Sequence, residues 1–203
     1  FPKKLTANIG THKIDMHNST LYFLDSFSSL KAPNEITILN DKGEGIGLLH
    51  TADNPIENFA LGKIDIFTIK VDDDSTDLYC RLIYPPNFDT TKTYPVIVYV
   101  YGGPHKQLIT NKWESDKYSF WFKYMSQHDY IIFSVDNRGS DNRGLVFEQA
   151  TFRNLGTVEI KDQLSGIKYL ESKPFIDFNR IGVYGWSYGG FMTAMTVTRT
   201  DRF

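Results

Sequence analysis

The sequence predicts an α/β fold, a parallel sheet with helices on its faces, preceded by a short run of strands of a different kind. Three observations predict it. Tyr94 to Tyr101 and Tyr130 to Val135 are nearly continuous apolar runs, as strands covered on both faces require. Between and after them the apolar residues switch to helical spacing. A last strand, Arg180 to Tyr184, leads straight into a glycine-rich turn at Gly185.

Residues 1 to about 53 read as short strands, Lys13 to Met16, Thr20 to Asp25, Glu35 to Leu39 and Gly47 to His50, separated by Asn, Ser, Gly and Pro. Together they make about one four-stranded sheet, which is marginal alone and needs neighbours on its faces. A propeller blade and a small sandwich piece both fit, and no second copy of the pattern establishes a repeat. Polar residues and a proline interrupt the periodicity at Ala52 to Asn58, so 54–60 is the expected linker and 61–203 the α/β region. Ile64 to Val71 and Leu78 to Tyr84 read as strands joined by the acidic turn Asp72 to Asp77, a solvated hairpin tip. A calcium loop fits those carboxylates poorly, because the spaced ligands and the glycine of an EF-hand are missing.

Next, Tyr118, Trp121, Phe122 and Met125 fall at i, i+3, i+4 and i+7, and Ile160, Leu164 and Ile167 repeat that spacing until Lys173-Pro174 closes the element. Strands alternating with helices of this length form a parallel sheet with crossovers.

Composition narrows the function. Hydrophobic residues at 41% and charged residues at 23% place the chain among globular proteins rather than disordered ones. A net charge of -2 without a basic block leaves no electrostatic footprint for nucleic acid. No run approaches the roughly 18 apolar residues of a membrane span. The single cysteine, Cys80, lies in a strand and reads as a core filler. No grouping of His, Cys and carboxylates has metal-ligand spacing, and no cofactor is expected.

Gly185-Trp186-Ser187-Tyr188-Gly189 carries the chemistry. Gly-x-Ser-x-Gly is a short pattern, but here it follows an apolar strand and precedes Phe191 to Met195, which continues as a helix. That is the setting of the nucleophile elbow in an α/β-hydrolase: a sharp turn lifts the serine oxygen over the sheet edge, and Gly185 and Gly189 let the chains pass closely. The helix after Ser187 points its N-terminus at developing negative charge. An acyl-transfer site also needs oxyanion donors. The Tyr188 N–H supplies one, and the loop Tyr101-Gly102-Gly103-Pro104-His105 is glycine-rich where close approach is needed, so that the Tyr101 hydroxyl can turn into the site. A phosphate-binding loop is disfavoured because the run lacks the P-loop lysine.

Four blocks, Tyr101-Gly102-Gly103-Pro104, Asp136-Asn137-Arg138-Gly139-Ser140, Leu155-Gly156-Thr157 with Asp162-Gln163, and Gly185 to Gly190, together resemble the dipeptidyl peptidase IV branch of the prolyl oligopeptidase family. They occur in that family's order and at similar spacing across roughly residues 60 to 203. The resemblance implies a peptide substrate, Ser187 as nucleophile, an oxyanion hole of Tyr101 and Tyr188, and residues 1–53 as the last blade of a β-propeller. It also implies release of N-terminal dipeptides after Pro or Ala, an exported location in the periplasm or at the cell surface, and homodimer formation in the full-length protein, partly through C-terminal elements.

In this fold the triad runs Ser, Asp, His along the chain. Only 16 residues follow Ser187, Asp201 comes too soon to sit at a later strand end, and His12, His17, His50, His105 and His128 all precede the serine. The chain is therefore expected to be a piece of a longer protein and nearly inactive alone. His105 reads as a loop histidine rather than a substitute base, and His128 as a helix C-terminal cap. Asp136 and Arg138 read as a pair holding a loop, and Asn18-Ser19-Thr20 as a sequon that need carry no glycan. Two alternatives stay open, another oligopeptidase or esterase of the same fold and a non-catalytic scaffold.

Overall fold

The computed structural model describes residues 3–71, 76–114 and 116–203. The chain divides into two compact units, Phe1–Phe59 with Thr110–Asp116, and Ala60–Ile109 with Lys117–Phe203.

The first unit is an antiparallel meander of β1 (Thr11–Met16), β2 (Tyr22–Ser29), β3 (Ala32–Asn40) and β4 (Gly45–Thr51), in that spatial order. All four extend beyond the sequence-predicted cores except at Thr20 and Leu21, where the Thr20 φ of 58° turns the chain between β1 and β2. Phe23 and Leu39 are its buried hydrophobic side chains among the described residues. Asn111, returning from later in the chain, accepts from Thr11 Oγ1 through its carbonyl at 2.9 Å and from Leu30 N–H through Oδ1 at 3.0 Å.

The second unit is a five-stranded sheet, order β5-β6-β8-β7-β9, of β5 (Ile64–Lys70), β6 (Asp77–Ile83), β7 (Tyr94–Tyr99), β8 (Ile131–Asp136) and β9 (Ile176–Tyr184). The β5–β6 hairpin and the β6–β8 pair are antiparallel, whereas β8, β7 and β9 run parallel. The sheet is therefore mixed, and its parallel part is the segment where strands alternate with helices. The acidic tip between β5 and β6, and with it the calcium-loop reading, falls at 72–75, outside the described residues.

Every residue of β7 and β8 is buried, which is why both read as unbroken apolar runs. Helix α1 (Lys117–Gln127) covers one face, where Tyr118, Trp121, Phe122 and Met125 pack with Ile83, Ile97, Tyr99 and Ile132. Helix α3 (Val158–Glu171) brings Ile167 and Leu170 against Val96, Val98, Phe133 and Val135 on the other. A short α2 (Leu145–Glu148) and a 3₁₀ turn over Gln149–Thr151, neither legible as periodicity, lie between β8 and α3. Cys80 has no exposed surface, and burial pushes its thiol up, so it is a core filler. No helix among the described residues is long and apolar enough to cross a membrane.

β7, β8 and β9 deliver their C-terminal ends side by side. The loops that leave those ends carry Tyr101, Asp136 to Ser140, and Ser187.

Candidate active site

Gly185, Trp186 and Ser187 join the end of β9 to α4 (Tyr188–Val197). Ser187 is exposed, with φ 57° and ψ −125°, at the N-cap of α4, and its hydroxyl makes no capping hydrogen bond. A non-glycine residue in that region costs about 1–3 kcal/mol and persists only where the surroundings over-determine it. The surroundings do so by backbone contact. A Cβ at Gly185 would lie 2.5 Å from the Val100 carbonyl oxygen and also collide with the Gly189 carbonyl, and one at Gly189 would collide with Val100 O. Only glycine lets the turn seat on the end of β7.

The result is an exposed hydroxyl at the N-terminus of a helix of ten residues. Tyr188 is its first residue, so its N–H has no acceptor within the helix and is available to an anion.

Tyr101 leaves β7 beside this turn. Its ring centroid lies 6.2 Å from that of Tyr188 at 41°, and Gly103 is wedged against both: a Cβ there would be 2.8 Å from Tyr101 Cε1 and 2.9 Å from Tyr188 Cγ. The two residues expected to supply the oxyanion donors are thus brought together, on either side of the second glycine of the loop.

What holds the Tyr101 loop is the block after β8. Asp136 accepts from the N–H groups of Leu108 and Ile109 at 2.9 Å each. Asn137 Nδ2 donates to Gly102 O at 3.1 Å, and His105 N–H donates to Gly139 O at 3.0 Å. Asp136 is buried, and burial raises its pKa to about 6 against the opposing pull of those two N–H donors and of Arg81 and Arg143. The expected Asp136–Arg138 pair does not form. Arg138 instead grips Asp162 of α3, with Nη2 to Oδ1 at 2.7 Å, Nε to Oδ2 at 3.0 Å, and its own N–H to Oδ2 at 2.8 Å. Gln163 donates to Asn137 Oδ1 at 2.9 Å. The loop-holding role survives, with partners 24 to 28 residues away rather than two.

Glu159 is a site residue that sequence reasoning missed. It is completely buried and accepts from Tyr188 Oη at 2.8 Å, from Gly156 N–H at 3.1 Å and from Thr157 N–H at 3.0 Å. Burial and this bond push the Tyr188 phenol up, so it stays protonated. A signal was present: Glu159, Asp162 and Gln163 stand at i, i+3 and i+4, one face of α3, and that face is buried.

Four of the five histidines have partners of their own, and His50 lies exposed in β4. His12 pairs with Asp25 at 2.8 Å in the first unit, and His17 Nδ1 lies 2.8 Å from Ser19 Oγ. His128 sits after α1 with Nδ1 2.9 Å from Tyr124 O, as a cap on the last turn. His105, with φ 56°, lies 3.6 Å from Asp141 and 3.8 Å from Glu148. That trio is the one metal-ligand grouping folding brings together among the described residues. It is open to solvent, with His105 73% exposed, and its nitrogen–oxygen separations are those of a loose surface ion-pair cluster.

A mixed sheet with helices on both faces and an exposed serine at a strained strand-to-helix turn define an α/β-hydrolase unit, here preceded by a β-propeller blade. Residues 116–203 match the model of the prolyl oligopeptidase family. Human dipeptidyl peptidase 8 is 41% identical over 128 residues, 62% of this chain and 14% of that protein. Bovine prolyl endopeptidase FAP is 33% identical over 168 residues, 82% of this chain and 20% of that one. Among solved structures, a Bacteroides ovatus protein provisionally assigned as a dipeptidyl aminopeptidase IV superposes with a TM-score of 0.89 at 45% identity, over 95% of this chain and 27% of its own. Dipeptidyl peptidase 4 of Porphyromonas gingivalis gives 0.85 at 27% identity, over 97% and 28%. The chain belongs to the prolyl oligopeptidase family, in its dipeptidyl peptidase IV branch. It spans between 14% and 28% of the length of these relatives.

Proposed function

We propose that the protein is a serine peptidase that releases N-terminal dipeptides of the Xaa-Pro or Xaa-Ala type through an acyl-enzyme on Ser187. The observation that carries this is the strained, solvent-open backbone of Ser187 at the start of α4. A structural serine at a helix start accepts a capping hydrogen bond; this one makes none and faces outward.

In the proposed reaction, Ser187 Oγ attacks the scissile carbonyl carbon. The negative charge that develops on the carbonyl oxygen is met by the Tyr188 N–H and the Tyr101 hydroxyl. The C–N bond then breaks, the amine leaves with a proton, and water releases the dipeptide from the ester. The base and its orienting acid come from residues outside this chain, so residues 1–203 alone are nearly inactive. Residues 1–53 serve as a last propeller blade and 54–60 as its link to the catalytic region at 61–203. The substrate is a peptide, and the full-length protein pairs as a homodimer, as in the resembling family.

The bovine relative named a prolyl endopeptidase supports a second reading, cleavage inside a chain. Labelling of the full-length protein by a fluorophosphonate, lost in Ser187→Ala, tests the nucleophile; absence of labelling favours a non-catalytic scaffold. Turnover of a Gly-Pro chromogenic substrate but not of its N-blocked form supports dipeptide release, and equal turnover of both overturns it.

A further inference from the structure

We infer that Glu159 is a positioning residue for the oxyanion side of the site, holding Tyr188 by its phenol in the place from which the Tyr188 N–H meets the developing negative charge. The inference rests on Ser187 being the nucleophile.

A carboxylate with no exposed surface must find all its partners inside the protein. Glu159 finds them at two helix starts. Gly156 and Thr157, whose N–H groups it accepts at 3.1 and 3.0 Å, are the two residues before α3, and the N-cap Thr157 makes no side-chain cap of its own. Glu159 therefore caps its own helix from inside the first turn, much as a capping-box glutamate does. Its remaining contact leaves α3 altogether: Tyr188 Oη, from the first residue of α4, donates to Oε1 at 2.8 Å across 29 residues of sequence. A phenol donating to a carboxylate is among the stronger protein hydrogen bonds.

The Tyr188 ring is boxed along its length. Tyr101 lies at 6.2 Å, Phe191 stands edge-on at 5.2 Å, and Gly103 is packed too closely on the ring to carry a side chain. These apolar walls restrain the ring's plane, but sliding along its own axis is resisted by the hydrogen bond at its tip. The ring's other end is the Cα of the residue that immediately follows the strained Ser187. A tether at the phenol thus restrains the peptide between Ser187 and Tyr188, whose N–H is the proposed oxyanion donor. A buried carboxylate is a poor way to gain stability, since an apolar group of the same volume often does as well. Its use here is accounted for by the three donors it orients.

The test uses the full-length protein, with Glu159→Gln, Tyr188→Phe and the double variant. Measured for each are the rate of fluorophosphonate labelling at Ser187, kcat and KM on a dipeptide chromogenic substrate, and the unfolding midpoint. Loss of one charge-assisted hydrogen bond corresponds to roughly 10-fold or more. Tyr188→Phe is expected to lower kcat and the labelling rate by about that factor with KM within about twofold, because the ring remains and only the tether is cut. Glu159→Gln weakens the link by removing its charge and Tyr188→Phe cuts it, so the double variant is expected to be no slower than the slower of the two single variants. Tyr188→Phe at wild-type kcat, with Glu159→Gln altering only the unfolding midpoint, overturns the inference and leaves Glu159 a cap for α3. Multiplicative losses in the double variant overturn it too. Should Glu159→Gln fail to fold, Tyr188→Phe decides alone. A wild-type protein that neither labels nor turns over rejects instead the reading of Ser187, and is told apart by the control.

Discussion

The two sheets of this chain are built from the same kinds of residue and end in different states. In the four-stranded meander two hydrophobic side chains are buried, Phe23 and Leu39, while Ile14, Met16, Tyr22, Ile46, Leu48 and Leu49 are exposed. In the five-stranded sheet β7 and β8 are buried at every position, and Leu78, Leu82, Ile131 and Phe133 have no exposed surface. The difference is coverage. Helices close both faces of the second sheet, whereas the strands of the first carry apolar side chains that no helix of their own unit meets. Close packing around the end of β7 is what holds the strained backbone of Ser187, because strain persists where the surroundings over-determine the geometry.

The largest expected difference between the sheets is in their cores. Phe133→Ala removes a ring packed with Tyr169 and the α3 face, and should cost about 3–5 kcal/mol. Urea unfolding followed by hydrogen exchange of β7 and β8 peptides checks it. A cost below about 1 kcal/mol would mean that the covered sheet is no better packed than the open one.

Next comes the polar frame between α3 and the loops that leave β7 and β8. Arg138→Met leaves Asp162, which has no exposed surface, without its bidentate partner. Stranding a buried charge costs about 3–5 kcal/mol; Arg138 keeps 22% of its side chain in solvent, so the lower end applies. The expected signature in the full-length protein is a loss of kcat larger than the loss of stability explains, since the released loop carries Asn137 and its bond to Gly102.

Much of this is legible in the chain itself, and what escapes has a common cause. Tyr118, Trp121, Phe122 and Met125 read as a helix because one face of a regular element is a local property. Gly185, Ser187 and Gly189 read as an elbow because the turn is made by residues next to one another. Glu159 escapes because a charged residue on an amphipathic helix is normally solvated: its spacing with Asp162 and Gln163 marks a polar face, but the burial of that face and the bond to Tyr188 are set by contacts far apart in sequence. Asp136 and Arg138 read correctly as loop holders and incorrectly as each other's partners, since their true partners lie at Leu108, Ile109 and Asp162. The antiparallel placement of β6 beside β8 is equally a fact about long-range order, and apolar runs do not encode direction.

Asp136 offers a smaller effect with a defined sign. Its folded pKa is raised by burial to about 6 from an ordinary value of 3.8. Between those values the folded state holds a proton that the unfolded state has released, so this group's contribution to stability falls as pH rises from about 4 to about 6, and is constant above. Each tenfold change in proton affinity is worth about 1.4 kcal/mol, so the full swing across that window is on the order of 2–3 kcal/mol. Asp136→Asn does not titrate. The difference in unfolding free energy between wild type and variant should therefore change across that window, moving against the wild type with rising pH, and be flat from pH 6.5 to 8. A difference that is flat from pH 4 to 8 would show that the Leu108 and Ile109 N–H groups, with Arg81 and Arg143, outweigh burial.

The smallest expected effect returns to the open sheet. Leu48 lies in β4 with 63% of its surface exposed, and replacing it by Thr keeps a residue with strand preference while removing apolar area that burial does not use. Within the 203-residue chain the change should cost less than about 0.5 kcal/mol, as exposed substitutions do, and it should lower any tendency to self-associate, because an exposed apolar strand face is an association hazard. Hydrogen exchange on β3 and β4, with light scattering, measures both. In the full-length protein the same substitution distinguishes two outcomes: a blade stacked against further blades buries position 48, and the change then costs about 1–3 kcal/mol, as burying an unpaired hydroxyl in place of an apolar side chain does. An unchanged stability there would mean that this face stays open even when the rest of the protein is present, and the contrast between the two sheets would then belong to the whole molecule.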